Sequence, residues 1–296
     1  MVGPLLGLLV MLLAWLPAGS GRLRGALASG AHFLLFCGWG WACSRAMLNR
    51  RFSRRLTLLA TAVVTLVMLA LERWVNVGYV WTSFFISWAG AWAGVSLARA
   101  WQQNPTWRRT VALGVAAVLA LCSALPTALV LADRAQAHFS YPQLASFEGR
   151  SELGRWWAHH ARLSRVTSHA TNGRHALRVV LFKSHGKYPG LFMTDGPRDW
   201  GDASRLCFDV YLAGNAERSI WVRVDDRVDY PPYDDRAQTL LNLVPGPNSV
   251  CLDIESFLRT PAGRVIDRHD IHRWGLFLDD AQGGETLFLD HIRLTR

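Results

Sequence analysis

Over the first 132 residues the apolar positions run in long blocks; beyond about Ala145 they alternate in short runs. Five blocks lack charged side chains: Val2–Gly21, Gly25–Ser44, Leu56–Leu71, Trp74–Ala98 and Thr110–Ala132. A helix crossing a bilayer core needs about 20 largely apolar residues. The blocks therefore predict five transmembrane helices, the short third one borrowing flanking residues while Arg54 and Arg55 snorkel outward. In the second region the predicted strands are Ala176–Phe182, Arg205–Leu212, Ser219–Asp226, Thr239–Val244, Asn248–Ile254, Arg273–Asp279 and Glu285–Leu294. Turn chemistry separates them at Gly214-Asn215, Pro231-Pro232, Pro245-Gly246-Pro247-Asn248 and Gly283-Gly284. Short strands with turn signals and no long amphipathic helix predict an antiparallel β-sandwich. The expected fold class is thus an α-helical transmembrane bundle of five helices plus an all-β sandwich. The expected domains are a membrane domain over 1–133, a linker over 134–144 and the sandwich over 145–296.

Composition agrees with this division. Of 296 residues 51% are hydrophobic and 18% charged, against about 25% charged in an ordinary soluble domain. The net charge is +10, which taken alone points to nucleic acid. Residues 1–134 hold twelve Arg and two acids (Glu72, Asp133), whereas residues 135–296 hold twenty basic and twenty acidic residues. All of the excess belongs to the apolar half, so a nucleic-acid-binding surface on the polar half is not expected.

The same charges predict topology. The segment Arg45–Arg55 carries five Arg and Arg99–Arg109 carries three, against three in the other two connections (Arg22, Arg24 and Arg73). Short cytoplasmic loops hold the Lys/Arg excess. The expected arrangement is a multi-pass cytoplasmic (inner) membrane protein with Met1 cytoplasmic and the C-terminal domain outside, in the periplasm or cell envelope. Alternatively the first block is a signal peptide, with Pro17-Ala18-Gly19-Ser20 near its cleavage site.

Pro17, His32-Phe33, Glu72 and Gly90-Ala91-Trp92-Ala93-Gly94 fall where the VanZ-like family of small membrane proteins carries its landmarks, and the first hundred residues resemble that family. Ala28 and Ser29 stand where the family has Asp-Lys, and Ser83 and Ser87 where it has Asp and Asn. His32 lies well inside its block and Glu72 at a helix end beside Arg73, which makes them the candidate intramembrane polar residues. Gly90-x-x-x-Gly94 permits close helix approach.

The C-terminal half resembles carbohydrate-binding modules of the galactose-binding-like jelly-roll type. The likeness rests on Ser146-Phe147-Glu148, Asp199-Trp200, Leu206-Cys207-Phe208-Asp209-Val210-Tyr211, Pro245-Gly246-Pro247-Asn248 and the closing run Thr286–Leu294. It implies binding of an extended cell-envelope or exported polysaccharide. On the resemblance alone, it also implies a structural calcium, with Glu148 and Asp290 as candidate ligands.

Strand parity gives a separate reading. In Ser219–Asp226, Ile220, Val222 and Val224 form one face, and Trp221, Arg223 and Asp225 the other. With the aliphatics inward, the second face offers an aromatic platform and polar groups suited to a sugar. The following loop adds Tyr233 and Arg236 beside it. The alternative is a salt-bridged hairpin loop whose Trp covers the sheet. Cys207 and Cys251 lie opposite the core-facing residues of their strands. If those strands are neighbours, an oxidising exterior permits a disulfide.

Three functions remain open. The first is a non-enzymatic, membrane-anchored envelope protein that presents a glycan-binding module. The second is an enzyme or transporter-like membrane protein acting on a lipid-linked glycan or glycopeptide, with the β-domain docking substrate. The third is a protein-interaction domain in an envelope assembly.

Overall fold

The computed structural model describes residues 21–46, 80–102, 106–183, 187–229 and 231–296, together with Leu59 and Val63. The chain divides into two compact units, Met1–Leu131 and Ala132–Arg296.

In the first unit the described helices are α1 (Arg22–Ala46), α2 (Val80–Gln102) and the start of α3 (Thr106–Ser140). Two of them, Arg22–Arg45 and Thr106–Ser140, are long and apolar enough to cross a membrane by length and composition. This overturns the expected five-helix bundle. Of Trp74–Ala98, the described part begins at Val80, lies in α2 and is not one of these two. Leu56–Leu71 lies outside the described residues except for Leu59 and Val63. Val2–Gly21 lies almost wholly outside the described residues, as does Glu72.

Helices α1 and α2 pack through glycine. A Cβ on Gly90 would strike the Phe33 carbonyl, and one on Gly94 would strike the Cys37 carbonyl and come within 2.8 Å of the Trp41 nitrogen. The Gly90-x-x-x-Gly94 spacing therefore brings backbone against backbone, as small residues do between apolar helices. His32 is half-buried on α1.

The second unit is built from two open antiparallel sheets. Its strands are β1 (Gln143–Ala145), β2 (Trp156–His159), β3 (Ala161–Val166), β4 (Ala176–Leu181), β5 (Gly190–Met193), β6 (Arg205–Leu212), β7 (Arg218–Asp225), β8 (Ala237–Leu243), β9 (Gly246–Asp253), β10 (Arg273–Phe277) and β11 (Thr286–Thr295), with a short α-helix, α4 (Ile254–Phe257), and 3-10 turns at Arg150–Arg155 and Tyr233–Asp235. One sheet runs β3-β4-β11-β6-β9 with β1 added to β11; the other runs β2-β5-β10-β7-β8. The long β11 changes partner along its length, pairing with β4 through Leu289 and with β1 from Ile292. At that change its register against β6 shifts between Asp290 and Arg293, where His291 takes φ +51°, a bulge.

Alternation explains the interior. Leu206, Phe208, Val210 and Leu212 of β6 face Ile220, Val222 and Val224 of β7 across one core. Trp274 centres it, 5.4 Å edge-on from Trp156 and 6.2 Å from Phe208. The residues Ala132–Ser140 of α3 belong to this unit. Asp133 and Arg155, both essentially buried, join there in a two-pronged ion pair, Nε–Oδ2 3.0 Å and Nη2–Oδ1 2.9 Å.

Candidate functional site

The five-stranded sheet turns Trp156, Leu191, Met193, Trp274 and Leu276 inward. The intervening residues face out, and the register lines them up: Trp157 opposite Phe192, and Phe277 opposite Trp221. The two gaps in this outer face are glycines, Gly190 opposite Phe277 and Gly275 opposite Phe192. A Cβ on Gly190 would lie 2.6 Å from the Cβ of Phe277, and one on Gly275 would lie 2.5 Å from Phe192 Cδ1. Each phenyl ring lies over a glycine on the neighbouring strand, and only glycine leaves it that space.

The result is a row of four rings crossing four strands. Trp157, Phe192, Phe277 and Trp221 follow one another at centroid separations of 5.8, 6.1 and 6.4 Å, with interplanar angles of 32°, 26° and 15°. The central rings are floor, 5% and 7% exposed, whereas Trp157 at the β2 edge is 46% exposed. Trp221 is half-buried, and its Nε1 donates to Asp279 Oδ2 at 2.9 Å, which fixes the indole. Tyr188 stands edge-on to Phe277 at 6.0 Å.

The other residues of the sequence-derived site lie elsewhere on this face. Arg223 and Asp225 point the same way as Trp221, yet they are 2% and 0% exposed. Asp225 is the hub of a buried charge cluster. It accepts from Arg223 Nε at 3.0 Å and from Arg273 Nε at 2.6 Å, and Arg273 Nη2 reaches on to the Asp229 carbonyl at 3.0 Å. These bonds tie the following loop, at Asp229, to the end of β7. Arg264 clamps the loop from outside, pairing with both Asp226 and Asp235, while Arg227 adds a 2.8 Å contact to Asp235. Burial pushes the Asp226 carboxyl up, but the Arg264 guanidinium and the Asp267 amide outweigh this and hold it below the usual carboxylate range. Arg236 donates to the Pro231 carbonyl at 2.8 Å, closing the loop on itself. Tyr233 is exposed at the loop's tip.

Glu148 and Asp290, expected to meet a cation, both meet one loop. Glu148 Oε1 accepts from the amides of Arg174 and His175 (2.7 and 2.8 Å), and its Oε2 lies 3.0 Å from His175 Nδ1. Asp290 accepts from the amides of Thr171 and Asn172 (2.6 and 2.8 Å) and of His291 (2.7 Å). Beside these amides stands an oxygen group, the Thr171 hydroxyl, 3.4 Å from Asp290 Oδ2 and donating to Asp209 Oδ2 at 2.8 Å. Cys207 and Cys251 face each other across β6 and β9 and are joined as a disulfide.

Trp157, Phe192, Phe277 and Asp279 are not evident from strand patterning. Gly190–Met193 is apolar on both faces and carries no period-2 signal; Trp157 follows an inward Trp directly. Only the register across β2, β5, β10 and β7 aligns them.

No family model matches the chain, and no curated protein does. Among solved structures it is similar to an exo-beta-agarase (TM-score 0.42, 19% identity, 52% of this chain and 24% of that one). It is also similar to the family 11 carbohydrate-binding module from Clostridium thermocellum, in complex with a β-1,3-1,4-mixed-linked tetrasaccharide (TM-score 0.41, 16% identity, 52% and 94%). A third is a xylan-binding domain from carbohydrate-binding module family 22 (TM-score 0.34, 15% identity, 51% and 92%). The chain spans about a quarter of the agarase's length. Its C-terminal region resembles these two binding modules over nearly their whole length, and neither is a catalytic domain.

Proposed function

We propose that the outer face of the five-stranded sheet binds a glycan, and that the chain presents it from a membrane on the extracytoplasmic side without catalysing a reaction. The observation that carries the reading is the ring row Trp157–Phe192–Phe277–Trp221. Its rings follow one another at about 6 Å with their planes within about 30° of their neighbours'. Trp157 at one end and Trp221 at the other offer the accessible aromatic surface that suits the apolar face of a sugar ring, with the nearly buried Phe192 and Phe277 holding them in line. The disulfide supports an oxidising compartment for the sandwich.

A glycan array probed with the full-length chain in mild detergent tests the binding. Preference for particular polysaccharides that disappears in Trp157→Ala and Trp221→Ala is the expected outcome. An array with no preference, together with capture of a defined protein partner, overturns it. Reporter fusions after Ala132 test the side: activity only as a cytoplasmic marker removes the extracytoplasmic assignment.

A further inference from the structure

Residues 1–132 contain one acid, Glu72, against eleven Arg. The counter-charge for most of these guanidiniums must come from outside the helical unit, from solvent ions or from an anionic surface. The packing of the helices decides where several of them stand. Helices α1 and α2 run parallel: Gly90 meets Phe33, and one turn further on Gly94 meets Cys37. Trp41 and Arg45 near the end of α1 therefore share one end of the unit with Arg99 and Trp101 near the end of α2. The start of α3 is tied to the same place. Arg109 donates from Nε to the Ala100 carbonyl at 3.3 Å and from Nη2 to the Trp101 carbonyl at 3.1 Å.

This end carries exposed rings as well as charge. Trp41, Trp101 and Trp107 are 45%, 57% and 62% exposed. Each has a guanidinium over it: Arg45 at 5.5 Å from the Trp41 centroid, Arg109 at 5.9 Å from Trp101 and Arg108 at 5.4 Å from Trp107. Trp is enriched at the boundary between hydrocarbon and headgroups, and Arg both stacks on aromatic rings and matches phosphate with its planar fork. The Trp41–Arg45 pair closes one of the two segments long and apolar enough to cross a membrane, and the Trp107–Arg108 pair opens the other. Rings and charges thus sit where a spanning helix leaves the hydrocarbon.

We propose that this end of the helical unit binds anionic phospholipid, with headgroup phosphates held by Arg45 and Arg108 beside Trp41 and Trp107. The inference rests on the membrane placement proposed above. Arg109 is a positioning residue, since it ties α3 to the end of α2. Selection for net negative charge follows from composition: the described residues of this unit include no carboxylate that could meet the ammonium of a zwitterionic headgroup. A nucleic acid would meet the same charge, but its strand needs a basic surface set in water, and this one stands at the ends of apolar helices.

The test titrates the full-length chain in non-ionic detergent with fluorescent phosphatidylglycerol and with fluorescent phosphatidylcholine. Each Arg near an anionic surface gives about a fivefold gain, so the anionic lipid should bind about twentyfold tighter at low salt, and added salt should shrink that preference. Arg45→Gln combined with Arg108→Gln should abolish the preference and leave phosphatidylcholine binding unchanged, since both side chains are exposed. Arg22→Gln combined with Arg24→Gln, the same charge change at the opposite end of α1, should leave the preference intact. Equal binding of the two lipids, or equal loss in both double variants, overturns the anionic site while the membrane placement stands. Displacement of the lipid by glycerol phosphate or by a single-stranded oligonucleotide at equal phosphate concentration also overturns it. If the chain reconstituted into vesicles is released by alkaline carbonate, the membrane placement itself falls.

Discussion

The indole of Trp221 lies 15° from parallel to the ring of Phe277, with its Nε1 hydrogen tied to Asp279. A side chain held by a near-parallel neighbouring ring and a carboxylate at its edge is pre-set as a platform, so little rotamer freedom is lost when a ligand stacks on it. Trp221→Ala should lower glycan affinity by about 1–3 kcal/mol, by analogy with base stacking on aromatic side chains, which is roughly tenfold to a hundredfold. Because the indole is only half-buried, the loss of fold stability should stay near 1 kcal/mol. Calorimetric titration and a thermal melt on one preparation separate the two effects; a large melt shift with unaltered affinity would make this Trp structural.

Asp225 should matter through stability. Asp225→Ala takes from Arg223 and Arg273 the buried carboxylate they share, and breaking such a cluster costs about 3–5 kcal/mol. The denaturation midpoint should fall accordingly, and the loop 226–236 should become the first site of proteolysis. An unchanged midpoint would mean that the cluster is solvated.

The clamp on the same loop should respond to acid. Asp226 has a folded carboxyl held below its ordinary value, so its contribution is present above the unfolded value of about 3.9 and is lost as pH falls through the lower folded value. Asp226→Asn should therefore be less stable than the parent at neutral pH, and the gap should close on acidification below about pH 4. Urea midpoints of both proteins from neutral to acid pH measure this. A gap that stays constant would remove the ion pair as its cause.

Calcium is open to an equally direct measurement. With the oxygens of Glu148 and Asp290 already taken by loop amides, the melting temperature should be the same in millimolar calcium and in excess chelator. A rise that tracks calcium excess would show an ion binding the native state and displacing those donors.

Strands bounded by polar turns were legible because alternation and turn chemistry spoke together, as in Arg205–Leu212 and Ser219–Asp226. β2 and β3 were not. Trp156 to Val166 contains no Gly, Pro, Asn or Asp, yet the chain leaves one sheet and enters the other at His160, which takes φ +44°. A corner made by one residue in the left-handed region has no composition signal when that residue is His. The parity of β7 was also legible, and it put Trp221, Arg223 and Asp225 on one face. Parity cannot see partners from other strands and loops, so Arg223 and Asp225 read as wet although both are buried, joined to each other and to Arg273. In the N-terminal half, absence of charge was legible, but a charge-free block is not by itself a helix long and apolar enough to span.

The disulfide sits in a telling place. It ties β9, the outermost strand of the six-stranded sheet, to its only neighbour, β6. An outermost strand offers unpaired main-chain groups, and its peeling is the first step by which two copies trade strands or stack into fibrils. A covalent rung on that strand prevents it from leaving, so exchange through this border is closed to the oxidised protein and opens on reduction.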